Sequence, residues 1–170
     1  MRGIMLDLET MGVQPTAPIV SIGAVYFENG VVVDFFYRTI DITKTIGVIE
    51  PQTIKWWLQQ DKEAQVDIIK ATYSIKEAIY DFTSFYEDHK IEGDNLEVWG
   101  NGAGFDNVIL RQTYKELNME CPFPFWLDRC YRTIKALNPD VHFSRIGIHH
   151  NALNDAQSQA HHLIEIMEKK

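Results

Sequence analysis

An α/β fold, a mixed sheet flanked by helices, is what this sequence predicts, on three observations. Apolar, β-branched segments crowd the first forty residues, an Asn-Gly pair separates two of them, and from Pro51 onward segments with helical spacing alternate with a short apolar strand. The first three strands then form an antiparallel meander, and later strands add to it in parallel.

The order along the chain follows from local chemistry. Gly3 to Gly12 is the first strand, and Val13 to Pro18, with its Gln-Pro and Ala-Pro steps, is a loop. Ile19 to Phe27 and Val31 to Ile40 are strands two and three, joined at Glu28-Asn29-Gly30. Pro51 sits where a helix tolerates proline, in the first turn, and opens a helix to Gln60; a second helical piece spans Lys62 to Ala71. Ser74 to His89 carries apolar residues at Ile75, Ala78, Ile79, Phe82, Phe85 and Tyr86, the spacing of a helix packed on one face. Leu96 to Trp99 is a short buried strand, and helices follow at Phe105 to Leu117, Leu127 to Leu137 and Ala152 to Glu168.

The first strand holds an anomaly. Asp7 and Glu9 interrupt an apolar run with one residue between them, so both project to the same face. Two acids side by side on a largely buried strand repel each other and lose hydration unless positive charge sits between them, and the simplest candidate is a divalent cation. Further oxygen ligands must then come from elsewhere. Asp106 follows the glycine-containing run Asn101-Gly102-Ala103-Gly104-Phe105 and stands near a helix N-terminus, and Asp155 lies in the first turn of the last helix, five residues after His150.

Bulk properties set the frame. The 170 residues read as one domain over 1–170, and 45% apolar with 24% charged residues excludes a disordered or a membrane chain. With no signal peptide and no bilayer-spanning run, the expected compartment is the cytoplasm, where Cys121 and Cys130 are free thiols. A formal charge of -8 argues against a nucleic-acid partner at first sight, but acids that ligate cations invert the local sign.

Asp7-Leu8-Glu9, the run from Asn101 through Phe105 to Asp106, and His150 followed by four residues and Asp155 together resemble the three motifs of the DEDD-class 3′-to-5′ exonucleases, histidine subclass, a group that includes proofreading exonucleases and ribonuclease T. The motifs span nearly the whole chain in the family's order. Trp56-Trp57 with Gln60, and Asp128 through Thr133, further resemble small phage, prophage and bacterial exonucleases and exoribonucleases.

The resemblance implies a ribonuclease-H-like fold and a two-metal mechanism on single-stranded RNA or DNA 3′ ends, releasing nucleoside 5′-monophosphates. Asp7, Glu9, Asp106 and Asp155 would be an all-oxygen set suited to two Mg²⁺ or Mn²⁺ ions about 4 Å apart, and His150 the general base. His149 is the fallback for that role, and His161 and His162 read as surface or packing residues. Thr10 and Met11 stand where the family contacts the terminal nucleotide, with plain loop residues as the alternative. Phe105 either packs under the site or stacks on a base. Trp56 and Trp57 read as a core pair or, since a helix cannot bury both equally, as one core residue and one stacking platform, and Trp57 is taken as the one facing substrate. Asn101 contacts backbone or substrate; Arg145, ahead of Arg129 and Arg132, is the candidate phosphate contact. A homodimer through Cys121 to Trp126, a catalytically silent binding module of the same fold, and a ribonuclease-H-type endonuclease are the competing possibilities.

Overall fold

A computed structural model describes residues 1–93 and 95–169. Its first three strands, β1 (Arg2–Thr10), β2 (Ile19–Glu28) and β3 (Val31–Thr39), pair antiparallel in sequence. The turn between β2 and β3 has positive φ at both Asn29 and Gly30, the conformation that selects an Asn-Gly pair. Two short helices follow, α1 (Pro51–Trp57) and α2 (Lys62–Ile69), then α3 (Ile75–His89), opened by a reciprocal capping box between Ser74 and Glu77. β4 (Glu97–Gly100) returns to the sheet parallel to β1; α4 (Asp106–Glu116), β5 (Asp128–Cys130), α5 (Tyr131–Leu137) and α6 (Ala152–Glu168) complete the chain. The strand order is β3-β2-β1-β4-β5, with β4 and β5 parallel, so the meander plus parallel strands expected from the sequence is present.

The two-residue period of β1 divides the molecule. Ile4, Leu6 and Leu8 point into a core shared with α3 and α4, through Ile79, Phe82, Ile109 and Leu110. Met5, on the alternate face, packs with Val25, Phe27 and Trp99 against Ala156, Ala160 and Leu163 of α6. A third, small cluster joins Met11 and Val20 to Trp57 and Ala64. Among the described residues no helix is long and apolar enough to cross a membrane.

Two boundaries differ from the sequence reading by three residues or more. Residues 128–130, expected as the first turn of a helix from Leu127 to Leu137, are instead the edge strand β5, and the helix starts at Tyr131. Three residues are too few to show a two-residue period, and they turn extended because β4 presents an unpaired edge whose backbone groups need partners. α1 ends at Trp57 rather than Gln60. In the stretch from Cys121 to Trp126, Phe123 is buried in the main core while Phe125 and Trp126 lie at the surface.

Candidate active site

Asp7 and Glu9 continue the face of β1 on which Met5 meets α6. Asp7 pairs across the sheet with Gly23 of β2, and a Cβ at Gly23 would overlap the backbone of Ala152 and Leu153 at the start of α6. Glycine thus lets the helix N-terminus rest directly on the strand, and Asp155, in the first turn of α6, descends beside the two strand acids. The register of β1 against β2 slips between Glu9 and Thr10, an irregularity of the kind found beside active sites. The outcome is that carboxylate oxygens of Asp7, Glu9 and Asp155 all lie within 4.8 Å of one another.

Asp106 comes from the other side of β1. It is buried at the first position of α4, where Leu8 N–H donates to its Oδ1 at 3.1 Å, and Gly100 lies so close to the Asn107 amide oxygen and to the Asp106 side chain that a Cβ at Gly100 has no room. It lines the same cleft, which has a volume of about 560 Å³. Asn101 and Phe105 line it too, and the Asn101 carbonyl accepts a bond from Arg132 at 2.6 Å. All four acids and His150 therefore face one opening.

His150 occupies the left-handed backbone region, with φ of 63°, at the end of the loop leading to α6. Its N–H donates to Asp155 Oδ2 at 2.9 Å, which closes the loop onto the helix. Asn151 caps α6, accepting from Asn154 N–H, and its own amide donates to Tyr37 Oη and to Asp67 of α2. The imidazole of His150 stands edge-on to Trp56, with ring centroids 4.7 Å apart, and stacks on His149 at 3.7 Å.

Gathering acids in a sheltered place raises their proton affinity. Burial, then the charges of Asp106, Glu9 and Asp155, holds Asp7 well above the usual carboxylate range, although Gln159 donates to its Oδ1. Glu9 is pushed up to about 8 by burial and by Asp155 and Asp106, and Asp106 to about 7 by burial, against the Leu8 bond that lowers it. His150 is shifted the other way, below 6.5, by burial and by His149. For an acid bound more tightly to its proton when folded, the native state holds more protons than the unfolded chain, so stability falls as pH rises between the two values. Chelator-treated protein is accordingly expected to lose stability from about pH 4.5, where unfolded Glu9 ionises, to about pH 8. At ~1.4 kcal/mol per pKa unit the total is several kcal/mol. His150 opposes this only below its ordinary value, one group against three. Urea midpoints in a chelator at successive pH values measure the effect, and a flat or rising profile through that interval contradicts it.

Other residues singled out by sequence divide. Thr10 lines the cleft, its hydroxyl donating to the Gly12 carbonyl at 2.7 Å. Arg145 lines it and its guanidinium donates to Asp155 Oδ1. Met11 does not reach it; it is buried with Trp57. The choice of Trp57 over Trp56 is reversed: Trp57 is 5% exposed, its indole N–H donating to the Thr10 carbonyl at 3.0 Å, whereas Trp56, 38% exposed, lines the cleft. The polar end of Trp57 is satisfied by the strand that carries the acids, which fixes the indole inward. Arg129 pairs with Glu97 at 2.6 Å, away from the cleft, while Arg132 lines it. His162 is buried between Tyr131 Oη and the Val141 carbonyl. Sequence reasoning passed over Gln159, whose only signal is its place one helical turn after Asp155.

Comparison with known proteins agrees with this arrangement. Residues 2–167 match the family model described as the 3′-5′ exoribonuclease Rv2179c-like domain. The chain is similar to a PolC-type DNA polymerase III of Thermotoga maritima, 26% identical over 184 residues that cover 98% of this chain and 12% of the polymerase. It is similar also to an exodeoxyribonuclease of Enterobacteria phage T4, 25% identical over 130 residues covering 69% of this chain and 57% of that one. The chain thus spans less than two thirds of either relative. Among solved structures, the nuclease domain of 3′hExo, a DEDDh family member bound to rAMP, superposes with a TM-score of 0.69 at 12% identity, over 99% of this chain and 92% of that one. The fold is therefore the ribonuclease-H-like exonuclease fold.

Proposed function

As the chain belongs to the Rv2179c-like 3′-5′ exoribonuclease family and is a 3′-to-5′ exonuclease of the DEDD class, we propose that it removes nucleotides one at a time from the 3′ end of single-stranded nucleic acid, RNA in preference to DNA, releasing nucleoside 5′-monophosphates. The observation that carries this reading is the meeting of Asp7, Glu9 and Asp155 oxygens within 4.8 Å, in a cleft that Asp106 and His150 also line. The donor set fits a hard divalent cation: it is all oxygen, and burial with mutual repulsion raises its acids, so added positive charge would hold them ionised. Two Mg²⁺ or Mn²⁺ ions held by Asp7, Glu9, Asp106 and Asp155 would supply Lewis-acid activation of water and neutralise charge on the scissile phosphate.

The chain's own groups do the rest. His150, its pKa lowered, is neutral at pH 7, so a ring nitrogen is free to accept the proton of the attacking water. Trp56 limits the rotation of that imidazole and offers its exposed face to a base, a contact worth ~1–3 kcal/mol. Arg132 and Lys135 of α5 bring positive charge to the cleft, along which the phosphate backbone would run despite the net charge of -8. Gln159 holds Asp7 in place through its amide.

The test uses 5′-labelled single strands of RNA and DNA of matched sequence, with Mg²⁺, with Mn²⁺ and with a chelator. A ladder shortening from the 3′ end, faster on RNA and absent in chelator, is expected. Internal cuts would mark an endonuclease, and no cleavage under any condition a silent binding module. A faster ladder on DNA would reverse the substrate preference alone.

A further inference from the structure

Asp155 belongs to two groups at once. Its carboxylate oxygens lie within 4.8 Å of Asp7 and Glu9 on one side, and the same limit joins Asp155 to ring nitrogens of His149 and His150 on the other. The first set is all oxygen. The second is two imidazoles and one carboxylate, the donor types that hold zinc with a fourth position left for water.

The backbone assembles the second set deliberately. Successive residues usually point their side chains apart, yet the rings of His149 and His150 lie 3.7 Å apart and 23° from parallel. Positive φ at Gly147 and at His150 builds the turn that puts both on one side, and the His150 N–H bond to Asp155 holds them over the carboxylate. A cationic group already rests there: the Arg145 guanidinium on Asp155 Oδ1, from a side chain 38% exposed and so free to swing away. His149 is exposed, which gives an ion a path from solvent.

We propose that His149, His150 and Asp155 form a second, inhibitory cation site selective for zinc-like divalent ions, which displaces Arg145 and ties up the ring of His150. The inhibitory part rests on the reading of His150 as the base; the binding part does not. Mg²⁺ prefers oxygen and does not take the two imidazoles, whereas affinity for nitrogen donors rises steeply towards zinc. The ion that disables the enzyme is thus told apart from the ion that drives it by donor type alone.

Cobalt(II), whose visible d–d bands strengthen in four-coordinate geometry and shift with imidazole ligation, is the probe. Metal-free protein titrated with Co²⁺ is expected to show four-coordinate bands at one equivalent, displaced by Zn²⁺ and not by Mg²⁺. Asp7→Asn should keep them and His149→Ala should lose them. In the exonuclease assay with Mg²⁺, the Zn²⁺ concentration for half inhibition should rise in His149→Ala by at least the roughly 10- to 100-fold that loss of an outer-shell partner costs a metal site. Absence of bands in the wild type, their survival in His149→Ala, or their displacement by Mg²⁺ overturns the site. Unchanged zinc inhibition in His149→Ala with the bands lost overturns the inhibitory role. Were the protein to hydrolyse nothing, the functional reading would fall and the cobalt titration would still decide the site.

Discussion

Asp7→Asn is expected to reduce hydrolysis by roughly 10³-fold or more while making the chelator-treated protein more stable at pH 8. The loss follows from the several kcal/mol that cation-assisted charge stabilisation contributes to such reactions, at ~1.4 kcal/mol per tenfold in rate. The gain follows from the same residue. Asp7 is held well above the usual carboxylate range by burial and by Asp106, Glu9 and Asp155. Asparagine keeps the shape and the oxygen that accepts from Gln159, and removes one charge from the cluster. With the carboxyl goes its raised proton affinity, which flattens the fall of stability with pH. Rate and urea midpoint measured on one preparation decide it: undiminished hydrolysis removes Asp7 from the reaction, and a less stable variant removes the repulsion argument.

What the sequence could tell about this site depended on distance along the chain. Asp7 and Glu9 are legible because a strand's period of two puts them on one face, and β1 pairs regularly with β2 from Arg2 to Glu9. Asp106 and Asp155 are legible only through spacing from neighbours that carry a motif, since nothing local to either says that they meet. Long-range facts were not legible. That Gly23 lies under the start of α6 depends on the register of β1 against β2, and that Trp57 turns inward depends on the Thr10 carbonyl, 47 residues away, accepting its N–H. On the helix alone the two tryptophans are equivalent; the strand breaks the tie. β5 escaped for a related reason, its extended conformation being imposed by the free edge of β4 rather than by its own three residues.

The same register yields the largest effect expected on the fold. Gly23→Val should lower stability by about 3 kcal/mol or more, at the upper end of overpacking costs, and lower the rate of the folded fraction by ~10²-fold, the order associated with a misplacement of about 1 Å. Valine is a better strand former than glycine, so β2 by itself would gain. The cost arises because the new side chain meets backbone, the carbonyl of Ala152 and the nitrogen of Leu153, rather than a rotatable side chain. Backbone there moves only by shifting the whole start of α6, whose Ala152, Asp155 and Ala156 are buried and whose cap is tied through Asn151 to Asp67 and Tyr37. Any such shift carries Asp155 away from Asp7 and Glu9 and draws His150 with it through the bond to Oδ2. Gly104→Ala is the control, since nothing lies within 4 Å of where its Cβ would sit. Gly23→Ala should already fall well below it in urea midpoint and rate; equal behaviour of the two would mean that the approach of α6 to the sheet is set by something other than the missing side chain.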